Sequence, residues 1–120
     1  MRLAATAHHQ LTYDLSRSAL TLEHLEAAFY QQGFNQFEDS QFEALGLSET
    51  SIDALKKVGE TEAVHVSFLV SALTDAGQKP VEACKYNFGF TDAASMINTA
   101  SILEAVGVSA YVSWFLLMQC

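Results

Sequence analysis

Alternation of apolar and polar residues, the mark of a half-buried strand, is missing throughout this 120-residue chain, which argues against a β-sheet architecture. Cysteine is scarce. Cys84 and Cys120 are the only two, and no CxxC or zinc-type spacing is present, so neither a disulfide framework nor a structural zinc site is indicated. The two read as unpaired thiols, with a bridge between them left open. Basic residues are also few, 6 against 14 acidic ones, for a formal charge of −8. Such a chain repels phosphate backbones, which makes nucleic acid a poor partner and a cation a natural one. There is no Gly-rich phosphate loop, and no serine has a histidine at a triad-like spacing. Long apolar runs are missing too. Met1–Gln10 has one Arg, then small residues and His8-His9, without the apolar run expected of a signal peptide. Tyr111–Cys120 is apolar but short of the roughly 20 residues a membrane span needs, and Glu104 stands against extending it. Localisation is not legible from these features.

Half the residues are hydrophobic, with 8 Phe and 4 Tyr, enough for one globular domain and its core. Three helical patterns carry them. The first spans about Tyr13 to Gln32, with Leu15, Ala19, Leu22, Leu25, Ala28 and Phe29 at helical period, and Gly33 as its stop. A connection from Gly33 to Leu47 holds Phe34, Phe37 and Phe42 and is expected to pack. Ser48 reads as an N-cap, with Glu49 in the first turn of a second helix running to Asp75. Val58, Leu69 and Ala72 mark its inner stripe, Ala76-Gly77 ends it, and Pro80 forbids early resumption. The stretch from Gly77 to about Phe90 is long for a tight turn and suits a crossover along the bundle. Thr91 or Asp92 caps the third helix, whose stripe reads Ile97, Ala100, Gly107, Trp114 and Met118.

Ionisable residues interrupt these stripes. Glu62 and His65, spaced Glu-x-x-His, share the inner face of the second helix. Glu104 lies on the stripe of the third. In the first helix Glu23 and Glu26 share a side with Tyr30, and either carboxylate could be the inward one. Glu23–Tyr30 and Glu104–Tyr111 repeat a Glu-x6-Tyr spacing. A lone Glu-x-x-His is common on solvated helix faces, and tyrosines commonly fill cores with the hydroxyl at the rim. His8, His9 and His24 have no partner at ligand spacing and are expected to be exposed. An ionised carboxylate in a core is costly unless paired or bound to a cation. Buried acid–base pairs are one answer. A metal accounts for all three helices together, carboxylate and imidazole donors suit iron, manganese or zinc, and carboxylate bridging suits a pair of ions. The tyrosines would orient the carboxylates by hydrogen bonding.

The segments Ala19–Gly33, Glu62-Ala-Val-His65 and Leu103–Tyr111, together with Pro80–Phe88 between the second and third helices, resemble the ferritin-like domain proteins of fungi, described as stress-response, sexual-development or desiccation-related. The resemblance covers about Leu15 to Tyr111. It implies an all-α, ferritin-like helical bundle with one long crossover, comprising residues 15–120 after an N-terminal extension of 1–14. It also implies a site in which Glu23, Glu62, His65 and Glu104 hold metal, with Glu26, Tyr30 and Tyr111 behind them and Glu62 as the bridging carboxylate. Glu23 is preferred over Glu26 because it shares the Tyr spacing of Glu104. Iron is the expected metal, with manganese or zinc as alternatives, as a di-metal centre or, in a site this short of ligands, none. The implied function is metal binding with oxidase or ferroxidase-like chemistry. The family pattern continues into a fourth helix with a second Glu-x-x-His, which this sequence lacks after Tyr111, so three long helices are expected and the fourth absent. The family is usually secreted. The missing helix gives two further expectations: a homodimer that completes the bundle, or a non-enzymatic protein that binds a partner through the groove left open.

Overall fold

The computed structural model describes the backbone of residues 2–118 and the side chains of residues 5–107. Among them are three long helices, α1 (Arg2–Gln36), α3 (Glu49–Asp75) and α4 (Ala93–Met118), and one short helix, α2 (Asp39–Glu43), with no strand. Of these, α1 exceeds the expected span at both ends. Residues 5–11 are exposed, and this part of the helix carries local bonds such as Gln10 Nε2 to Asp14 Oδ1 at 3.0 Å and the Thr12 hydroxyl to the His8 carbonyl at 3.0 Å. At the other end Gly33 does not stop the helix. The space its missing side chain leaves is filled by Met96 of α4, which is fully buried. The glycine is there for close packing rather than as a break.

The caps follow the expected chemistry. The Ser48 hydroxyl accepts the Ser51 amide at 3.2 Å and starts α3. At its end the Gly77 amide bonds the Thr74 carbonyl and the Gln78 amide bonds the Leu73 carbonyl, both at 2.9 Å, while Gly77 takes a φ of 75°. This is a Schellman closure, which needs the left-handed residue that glycine supplies. For α4 it is Asp92 that caps: its carboxylate accepts the Ser95 amide at 2.7 Å. The inner stripe of α3 departs from expectation, since Ala72 is exposed and Leu73 is the buried residue, and His65 is exposed where Glu62 is buried.

The contacts set the topology. Tyr30 packs on Gly59 while Glu23 meets His65, so α1 and α3 run antiparallel. Gly33 meets Met96 while Glu26 meets Gly107, so α1 and α4 are antiparallel as well. Hence α3 and α4 are parallel, and residues 76–92 must return along the bundle to join them. That crossover is anchored. His24 Nε2, half-buried rather than exposed as expected, donates to the Val81 carbonyl at 3.0 Å. Phe88 and Phe90 each meet Phe29 edge-on with centroids 5.2 Å apart. Phe29, Phe42 and Met96 are fully buried, and with Phe37, Ile52 and Ala93 they form a core at the end where α1, α2 and the start of α4 meet. The expected packing of the 33–47 connection therefore holds, with Phe42 carried on α2. Helix α1 packs along both α3 and α4; among the described residues the backbones of α3 and α4 stay apart, and the side chains of Glu62 and Glu104 reach across between them. No helix among the described residues is long and apolar enough to cross a membrane.

Candidate metal centre

Beyond the aromatic core, toward the middle of α1, the inward residues change from apolar to acidic. Glu23, Glu26 and Tyr30 follow one another at three- and four-residue steps, so they lie on one stripe of α1. All three are buried, at 3%, 5% and 2% exposure. Glu62 of α3 is buried at 7%, whereas the His65 side chain, one turn on, is 49% exposed at the open edge. Glu104 of α4 is half-buried. The four expected metal ligands are thus brought together from three helices.

They form two groups that share one member. In the first, ligand atoms of Glu23, Glu62 and His65 lie within 4.8 Å of one another; in the second, those of Glu26, Glu62 and Glu104 do. His65 Nδ1 is 3.1 Å from Glu62 Oε2 and 3.3 Å from Glu23 Oε2. Glu26, expected behind the ligands, offers an oxygen to the second group alongside Glu104. The Tyr30 hydroxyl donates to Glu104 Oε1 at 2.7 Å. A tyrosine orienting a carboxylate is expected, and Tyr30 does so across helices, from α1 to α4. Tyr111 lies outside the residues whose side chains are described, as do Trp114 and Met118 of the expected stripe. The crossing bond has no signature in sequence, because periodicity reports faces of one helix and not which residues meet between two.

The electrostatics follow from crowding acids in a dry place. Burial, then the hydrogen bond with Glu23 and the charges of Glu23, Glu26 and Glu104, push Glu62 from 4.5 up to about 9. Burial, then the charges of Glu104 and Glu23, push Glu26 up to about 7, with its hydrogen bond to Glu62 acting the other way. Burial first, and then Glu104 as hydrogen-bond acceptor and as charge, holds the Tyr30 phenol well above its usual range. Burial and the surrounding acids thus favour the protonated forms of Glu62 and Glu26 while no cation is bound.

A divalent ion in each group would take over the role of those protons. The donor set fits such ions: one group mixes oxygen with imidazole nitrogen, the other is all oxygen, and the shared carboxylate can face both. A cavity of about 550 Å³ lies elsewhere, in the outer groove between α1 and α3 by His24, Gln31, Asn35 and Lys56, and shares Tyr30 with the acidic centre.

Helices antiparallel about a shared α1, a crossover returning along the bundle, and acids from each long helix turned to one interior point define a helical bundle of the carboxylate-site class. The chain matches the ferritin-like domain family over residues 12–119 and belongs to that family. No curated protein matches the chain.

Proposed function

We propose that this chain is a di-metal, carboxylate-type metal-binding protein, with Glu23, Glu62 and His65 around one ion and Glu26, Glu62 and Glu104 around the other. The observation that carries this reading is the place of Glu62. It is a buried carboxylate common to both ligand groups, on three sides of which stand other acids, and only cations relieve that arrangement without protonation. Iron, manganese or zinc suit the donors. A bound iron or manganese pair would supply redox chemistry of the oxidase or ferroxidase kind, in a stress or developmental setting. The protein's part is to hold the carboxylates, to keep water from the α1 side, and to leave the His65 edge open to solvent. Anaerobic Fe(II) titration monitored by calorimetry and elemental analysis tests this. The expected result is a pair of ions per chain, with both lost in Glu62→Ala; binding no greater than in that variant would refute it.

A second reading is favoured by the side between α3 and α4, where no described helix packs. Phe68, one turn after His65 on α3, is 69% exposed. Under that reading the protein associates through this side, with a partner or a second copy, and has no enzymatic role. Sedimentation across a range of concentrations separates the two. Metal uptake by a monomer supports the first, and association weakened by Phe68→Ser without metal uptake supports the second.

A further inference from the structure

Gly107 sits on α4 one turn beyond Glu104, is buried, and faces Glu26 of α1. A Cβ placed on it would lie 2.7 Å from Glu26 Oε1, 3.7 Å from Cδ and 4.0 Å from Oε2. The carboxylate thus fills the space that any side chain at this position would take. Gly59 provides the contrast. A Cβ there would lie 2.6 Å from the Cβ of Tyr30, an atom fixed to the α1 backbone, so a side chain at 59 would drive the two helices apart. At Gly107 the obstacle is the free end of a flexible side chain, so a side chain would displace the carboxylate and leave the helices in place. Glycine is otherwise a poor choice inside a helix, since alanine forms helix better.

From this we infer that Gly107 is a positioning residue for the second metal group: its bare backbone lets Glu26 lie against α4 and turn its oxygens toward Glu62 and Glu104. The inference rests on the metal reading for its consequence but not for its geometry. Gly107→Ala pushes the Glu26 carboxylate off α4 and opens the all-oxygen group. Glu23, Glu62 and His65 keep theirs.

The test uses Co(II) uptake by the full chain, followed by equilibrium dialysis and visible absorption, beside a crystal structure of metal-free Gly107→Ala. The variant should fold with unchanged or raised thermal stability and retain a single ion where the parent holds a pair. Adding Glu26→Gln should cause no further loss, as expected for two changes acting through one group. Glu26→Asp, which retracts the carboxylate by one methylene, should restore the second ion in the Gly107→Ala background. A Glu26 carboxylate unmoved in the variant crystal, or a second ion lost without rescue by Glu26→Asp, would overturn the inference. If the parent takes up no cobalt, the metal reading fails, while a displaced carboxylate in the variant crystal still upholds the role of Gly107.

Discussion

Glu62 and Tyr30 show how much one side chain at this centre controls. With folded pKa values near 9 for Glu62 and near 7 for Glu26, against 4.5 in the unfolded chain, the metal-free native state binds the extra protons. Stability from these two groups is therefore complete below 4.5 and is lost as pH rises through 7 and then 9. In chelator, the melting temperature of the protein should fall from about pH 5 to about pH 9, and Glu62→Gln should flatten the upper part of that slope. Metal uptake runs the opposite way, because each ion displaces protons. Affinity should rise roughly tenfold per pH unit for each proton released, which calorimetry in buffers of different ionisation enthalpy would count. Tyr30→Phe removes the hydroxyl that holds Glu104 Oε1 at 2.7 Å. Loss of such an orienting bond is expected to weaken metal binding by about 10- to 100-fold while the helical circular dichroism stays unchanged. The sequence singled out Glu62, His65 and Glu104 because a charge on an apolar stripe is conspicuous, and it left Glu23 and Glu26 as alternatives on α1, with only the Tyr spacing favouring Glu23. It did not disclose that Tyr30 serves Glu104, nor that Glu26 stands with Glu104 in the second group. Both depend on how α1 is rotated against α4.

At the scale of elements, caps and crossover decide whether the acids meet. Asp92 fixes where α4 begins, and therefore the height at which Glu104 and Gly107 face α1. Asp92→Ala should cost about 1 kcal/mol in urea unfolding. Truncating Phe29, against which Phe88 and Phe90 both lean, should cost about 3–5 kcal/mol. Capping residues were readable because Ser48 and Asp92 precede apolar periodic runs. Gly33 was not, because a glycine in a helical pattern marks either a stop or a close approach, and only the neighbour, here Met96, decides between them. Phe88 and Phe90 stand in a segment without periodicity, so nothing in the local pattern distinguishes an anchor from a surface aromatic. His24 was misjudged for a related reason: its partner is a backbone carbonyl, and a carbonyl has no residue signature.

For the whole molecule, the group of Glu26, Glu62 and Glu104 draws on all three long helices, so an ion bound there would tie α1, α3 and α4 together, whereas one at Glu23, Glu62 and His65 would join only α1 and α3. Binding that is confined to the folded state stabilises it by mass action, by about 2.7 kcal/mol when free metal is 100 times Kd. Thermal melts over a Co(II) series should therefore shift upward in the parent and remain flat in Glu62→Ala. Exposed ion pairs add little by comparison. Lys56 meets Asp39 at 2.7 Å and links α3 to α2, but both side chains stay in contact with solvent, at 37% and 53% exposure, and salt should barely move the melt.

The parallel arrangement of α3 and α4 also dictates an order of assembly. The hairpin of α1 and α3 can close through the short link carrying α2, whereas Tyr30 finds Glu104 only after the crossover has swung α4 into place. Contacts so distant along the chain are slow to form. Glu104 is accordingly the last acid to arrive, and it does so against a hairpin already bearing Glu23, Glu26 and Glu62. Its approach is resisted by like charge unless protons or cations are present, so refolding in chelator should slow as pH rises, and a divalent ion should restore the rate.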